Sequence, residues 1–269
     1  MFQSGLGGMP IIGDDNYRDF LDPVVNGEKV MRGHKPRDYT KQPTGSVGGF
    51  MKGFDLPLIP REKWPELIEA KERNQSRLVD LCDYHGLSVL DQMRTNYCWI
   101  FSPVHCLEIM RMRQNQEMVR LSPASVGAKI KNFRNVGGWG TEGLQYLVEH
   151  GCVPQENWPA TAIDRRYDTR ENDALRPLYR VTEWYELQPR NFAQLATCLL
   201  LGFPVAIGLN WWGHEVTAMD LVMLRGGKFG VIIHNSWGED WEDNGRGVLT
   251  ESRATPDDAV SPRVVTASN

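Results

Sequence analysis

Apolar positions are sparse and aperiodic over the first sixty residues and then settle into two regimes. Residues 1–60 carry Gly- and Pro-rich runs, GLGG at 5–8 and PTGSVGG at 43–49, which predict an extended N-terminal arm. The stretch PREKWPELIEAKERNQSRLVDLCDYHG, from Pro60, has helix formers, Pro65 near a first turn and Gly86 as a stop, and predicts a helix near 64–84. Trp99, Phe101, Val104, Leu107 and Met110 recur at helical spacing and predict an amphipathic helix over 98–113, with Thr95 and Asn96 just before it. Two more helices are expected at 122–133 and 141–150, the latter ended by Gly151. After a Pro- and Arg-rich connection at 154–180, the pattern turns to short strands at 181–187, 205–209, 215–224, 228–233 and 247–251. One helix is expected among them at 191–201, and Gly226-Gly227 reads as a hairpin turn. The chain from 254 onward, with Pro256, Asp257, Asp258 and Pro262, reads as a loose tail.

Helices first and strands after make the expected class α+β, with a helical lobe at about 87–165 and a β-rich lobe at about 166–253. The 269 residues suffice for a full core, and 41% hydrophobic with 24% charged residues is ordinary for a globular protein. A net charge of -4 without long runs of one sign offers no basic stripe for nucleic acid and no cationic face for a membrane. Residues 1–17 contain no Lys or Arg and no long apolar core, so they do not read as a signal peptide. The five cysteines at 82, 98, 106, 152 and 198 show no paired spacing and suggest a reducing compartment, so the expected location is the cytoplasm or a virion.

The chemistry-bearing stretch is DQMRTNYCWIF, from Asp91 to Phe101. A thiol attacks a carbonyl only as thiolate, and a cysteine at a helix start has free N–H groups facing it. Taken alone, Cys98 is as well explained as a small buried hydrophobe, and His214 as a core or surface histidine. His105, Cys106 and His150 match no zinc spacing, and no metal or other cofactor is expected.

Four motifs in one chain order change that balance. Gln92 lies six residues before Cys98-Trp99-Ile100-Phe101; Leu121-Ser122 precedes Gly137-Gly138; Gly213-His214-Glu215-Val216 follows a strand-like run; Asn235-Ser236-Trp237-Gly238 is followed by Trp241. Together, over roughly 87–251, they resemble the papain-like cysteine peptidases. The resemblance implies a two-lobe fold over 61–253, with Cys98 on the helical lobe and His214 and Asn235 on a β-barrel-like lobe. It implies Cys98 as nucleophile, His214 as base, Asn235 orienting His214, and Gln92 with the Cys98 N–H as oxyanion donors. It also implies Gly137 and Gly138 as glycines along which a peptide or protein substrate lies, with Trp237 beside them.

Several features depart from that pattern. Tyr97 would crowd the cleft; Glu215 would place a carboxylate beside the base; Pro103 would let the helix start late, at Ser102-Pro103, away from Cys98. Thr95 and Asn135 stand where secreted members carry a disulfide. The alternative to a peptidase is an assembly or virion structural protein that keeps the fold with little turnover. For the arm, the favoured expectation is a run away from the cleft onto a protein partner or second copy, rather than a prosegment lying between Cys98 and Gly138.

Overall fold

The structure, a computed structural model, describes residues 6–46 and 52–267, with only the backbone of 52 and 53. The rest of the 1–60 expectation, including parts of both Gly-rich runs, lies outside the described residues. In chain order the strands are β1 (Ile11–Ile12), β2 (Val24–Val25), β3 (Glu28–Lys29), β4 (Lys52–Gly53), β5 (Val181–Glu186), β6 (Val205–Leu209), β7 (His214–Met223), β8 (Phe229–His234), β9 (Arg246–Thr250) and β10 (Asp258–Val265). The α-helices are α1 (Trp64–Arg73), α2 (Leu78–His85), α3 (Cys98–Arg113), α4 (Pro123–Ile130), α5 (Gly140–Glu149), α6 (Arg170–Leu175), α7 (Phe192–Leu200) and α8 (Glu251–Ala254).

Eight strands form one sheet in the order β1-β9-β8-β7-β6-β10-β5-β4. Because alternate residues of a strand face opposite sides, Val205, Ile207 and Leu209 of β6 pack into a core with α1 and α7, whereas Ala206 joins the core around α3, α4 and α5. The sheet thus lies between the two helical layers. Helix α3 is buried around almost its whole circumference, so it is not amphipathic as expected; Thr217 and His234 on the sheet answer its Ser102 and His105, and His105 also pairs with Glu108 one turn on in the same helix.

The expected bounds of α3 are met, and three further expectations are corrected. The helix over 98–113 begins at Cys98 and runs through Pro103, so the late start does not occur. An internal proline costs roughly 3 kcal/mol, and burying a single large apolar side chain returns about 1.5–3 kcal/mol, so a helix this buried tolerates it. The helix near 64–84 is two helices, because Asp220 of β7 accepts from Leu78 N–H (3.1 Å) and Val79 N–H (3.0 Å) and starts α2 afresh. The tail is no loose end: residues 258–265 are β10, paired with β6 and β5 in the interior of the sheet.

The third correction concerns the path of the arm, whose described residues pair with this chain's own sheet. Strand β1 pairs in parallel with β9 and covers one edge of the sheet, and β4 pairs in parallel with β5 and covers the other. A bare edge exposes unpaired N–H and C=O groups to any passing strand, and here the chain itself covers both. Between these anchors the arm crosses the front of the molecule.

Candidate active site

Cys98 is the first residue of α3, His214 the first of β7, and Asn235 follows β8, the hairpin partner of β7. Gln92 lies on the loop before α3, and an isolated bridge from Asp91 to Trp237 ties that loop to the segment carrying Asn235. Gln92 N–H donates to the Ser236 carbonyl (2.8 Å), and Ser236 Oγ donates to Gln92 Oε1 (2.6 Å). Cys98, His214, Asn235 and Gln92 are fully or almost fully buried.

The ring of His214 is fixed on three sides. Its Nε2 lies 2.7 Å from Asn235 Oδ1, its face stacks on Trp237 at 4.3 Å and 18°, and Trp212 meets it edge-on. Asn235 Oδ1 also accepts the Ser236 N–H (2.7 Å). An atom that accepts from a backbone N–H is the amide oxygen, so His214 Nε2 carries the proton and Nδ1 holds the lone pair. That Nδ1 has no hydrogen-bond partner among the described residues, so thiol and imidazole are not hydrogen-bonded to each other. Burial is the main influence on both: it raises the Cys98 thiol well above its ordinary range and pulls His214 down to about 3. Glu215 raises the thiol further, whereas the amides of Glu215, His34 and Trp99 favour its thiolate. In this closed arrangement Cys98 is a thiol and His214 a neutral imidazole.

The arm is what closes it. Gly138 N–H donates to the Gly33 carbonyl (3.0 Å) and Lys35 N–H to the Gly138 carbonyl (2.9 Å), forming a parallel bridge between His34 and Gly138. On the opposite wall His34 N–H donates to the carbonyl of Gly213 (3.2 Å). The Met31 carbonyl accepts from Gln92 Nε2 (3.0 Å) and from Trp237 Nε1 (2.9 Å). A Cβ on Gly137 would overlap the Gly33 carbonyl, and a Cβ on Gly33 would overlap the Asn96 carbonyl, so Gly137 admits the arm's backbone and Gly33 lets the arm pass the loop before α3. Every residue predicted for the site therefore lines or borders the cleft that residues 31–35 occupy. The expectation that the arm runs away from this cleft is not met.

Pattern reading missed the arm residues themselves. The available signal was charge: Arg32, His34, Lys35 and Arg37 concentrate basic residues in a segment otherwise poor in them. Arg37 is buried and pairs with Glu186, reaching also Thr141 (3.1 Å) and Asp258 (3.5 Å).

Two expected obstructions resolve locally. Tyr97 turns into the helical lobe, where its ring fills the space left by Gly127 and its hydroxyl donates to the Arg134 carbonyl (2.9 Å). Glu215 turns toward Gly140 and His34, while His214 is held by Asn235. At the place of the absent disulfide, Asn135 Oδ1 accepts from Asn96 N–H (2.6 Å) and Asn135 Nδ2 donates to the Arg94 carbonyl (3.0 Å), tying the same two segments. Asn135→Ala is expected to lower stability by about 1–2 kcal/mol in denaturant unfolding; an unchanged midpoint would show that these bonds merely replace water.

No model of a known protein family matches the chain. It is 23% identical over 209 residues to cathepsin K of Mus musculus, covering 66% of this chain and 62% of that protein. It is 24% identical to chymopapain of Carica papaya (58% of this chain, 49% of that protein) and 27% identical to digestive cysteine proteinase 3 of Homarus americanus (61% and 58%). The chain thus spans less than two thirds of the length of these relatives. Among solved structures, it is similar to digestive procathepsin L 3 of Tenebrio molitor, with TM-score 0.58 and 18% identity over 66% of each chain. It is also similar to the ragweed pollen cysteine protease Amb a 11 in its proform, with TM-score 0.60 and 15% identity over 89% of this chain and 70% of that one. The chain has the papain-like fold, and the relatives it resembles in sequence are papain-like cysteine peptidases.

Proposed function

We propose that this protein is a cysteine peptidase held in a blocked state by its own residues 31–35. The observation that carries the reading is the His214–Asn235 arrangement: Nε2 is committed as a donor, and the lone pair of Nδ1 is buried and without a partner among the described residues. With the cleft open to water, the desolvation that keeps both groups neutral is relieved. His214 Nδ1 then takes the thiol proton, and α3, which starts at Cys98, favours the thiolate. The thiolate attacks a peptide carbonyl, and the Gln92 amide, freed from the Met31 carbonyl, stabilises the developing oxyanion with the Cys98 N–H. His214 returns its proton to the leaving amine, and water resolves the acyl-enzyme by the same route in reverse.

In the blocked state a backbone carbonyl, Met31, already sits on the proposed oxyanion donor, and a strand pairs with Gly138 where a substrate strand would. That the curated relatives are peptidases favours this reading over an assembly protein, which would keep the same fold.

The test is hydrolysis of fluorogenic peptides by the full chain carrying an arm-weakening change, with Cys98→Ala as control. Activity that disappears with Cys98→Ala supports the peptidase; activity that survives it, or no activity toward any peptide once Cys98 is accessible, removes it. In the same assay Gln92→Ala is expected to slow hydrolysis about a hundredfold. Because Gln92 is buried and bonded to Met31, Thr95 and Ser236, that variant is also expected to lose about 1–3 kcal/mol of stability.

A further inference from the structure

The arm leaves one imprint in the cleft that its blocking role does not need. The His34 side chain enters a pocket formed by Gly208, Asn210 and Glu215, with Nε2 3.0 Å from Asn210 Oδ1. A Cβ on Gly208 would overlap the imidazole, so the pocket's volume depends on that glycine. Its charged wall is Glu215, 1% exposed, and His34 Nδ1 stops 3.7 Å short of its carboxylate. Among the described residues, neither Glu215 carboxylate oxygen has a hydrogen-bond partner of ordinary geometry. A buried carboxylate with empty acceptor positions fits a longer cationic donor better than it fits this imidazole.

The neighbouring negative charges are already matched. Asp258 and Glu186 receive the Arg37 guanidinium, Asp258 also accepts from Thr141 Oγ1 (3.1 Å) and Tyr39 Oη (3.1 Å), and Gly45 N–H donates to Glu186 (2.8 Å). Among the described residues Glu215 is the carboxylate of this wall with only loose neighbours, His34 Nδ1 at 3.7 Å and the Gly140 amide, and burial raises its pKa to about 7.

Resting on the peptidase reading, we infer that Glu215 selects substrates: a peptide lying along Gly138 places a basic side chain, arginine above all, in the Gly208–Asn210–Glu215 pocket that His34 fills in the blocked state. The guanidinium presents five donors in a planar fork, enough to engage the carboxylate in a two-point contact and still reach Asn210. A leucine there would leave the carboxylate unpaired in an apolar setting, and a glutamate would bring a second negative charge beside it.

The experiment uses the full chain and measures the rate at which Cys98 is labelled by matched dipeptidyl electrophiles carrying Arg, Leu or Glu at either residue. The probes are used at concentrations low enough that labelling is slow against re-seating of the arm and stays first order in probe, so the opening equilibrium multiplies every rate equally and cancels from the ratio. The expected result is an Arg probe at least tenfold faster than its Leu counterpart at one of the two positions, with Glu slowest and the Arg:Leu ratio near one in Glu215→Gln. An Arg:Leu ratio of one or below in the wild-type chain overturns the inference, as does an Arg preference that persists in Glu215→Gln. If Glu215→Gln does not fold, the wild-type ratio decides alone. Arg-selective labelling without turnover of the corresponding peptides would overturn the peptidase reading and leave the pocket standing; turnover without Arg preference would do the reverse.

Discussion

Gly33→Val is expected to raise the rate at which iodoacetamide alkylates Cys98 in the full chain by roughly 5- to 150-fold. The added side chain has no room, because even a Cβ at this position overlaps the Asn96 carbonyl. Extra atoms forced into a packed contact cost about 1–3 kcal/mol, and each 1.4 kcal/mol shifts the balance between seated and displaced arm tenfold. The cost falls on the strand in the cleft, since β1 and β4 hold the arm at both edges of the sheet independently of residue 33. Mass spectrometry after limited labelling gives the site. Among the cysteines, all buried and free, only Cys98 should gain reactivity. Equal gains at Cys82 or Cys152 would point to general loosening, and no gain at all would mean that residues 31–35 are not what covers the thiol. A thiol buried this deeply is not expected to be labelled first in the unmodified chain, although the sequence alone suggests an activated one.

In that Gly33→Val background, His214→Gln is expected to lower kcat for peptide hydrolysis by on the order of 10⁴-fold or more, with KM little changed. Glutamine roughly preserves the volume stacked against Trp237 and offers an amide to Asn235, so the loss reports the proton acceptor rather than a collapsed core. The assay is steady-state kinetics with a melting curve for each variant. A variant that retains more than a tenth of the rate would remove His214 as the base and return attention to Glu215 and His34.

The division between what could be read early and what could not follows the range of the interactions involved. Residues that act through their own chain neighbourhood were legible. Examples are Gly86, whose φ of 66° ends α2; Ser122, whose hydroxyl caps α4; and Gly226-Gly227, which turn β7 into β8 with positive φ. The short buried runs that gave β6, β7 and β8, bounded by Pro204, Gly213 and Gly226-Gly227, are equally local. The candidate residues were legible for another reason: cysteine, histidine, asparagine and glutamine stand in short motifs whose order survives trimming of the loops between them.

By itself, then, the sequence determined the helix-then-strand order, most of the element positions and the identity of the residues around the cleft, because each depends on turn chemistry, periodicity or motif within a few residues. Tertiary structure alone decided the rest. Asp220 split a helix across some 140 residues of chain, and pairing with β5 and β6 turned a Pro- and Asp-bearing tail into an interior strand. The arm, with too few apolar residues to signal any element, took its path from backbone hydrogen bonds to Gly138 and Gly213 and from His34 and Arg37 meeting buried carboxylates. Those partners lie more than a hundred residues away in the chain, and only the folded surface brings their charges and glycines to the arm.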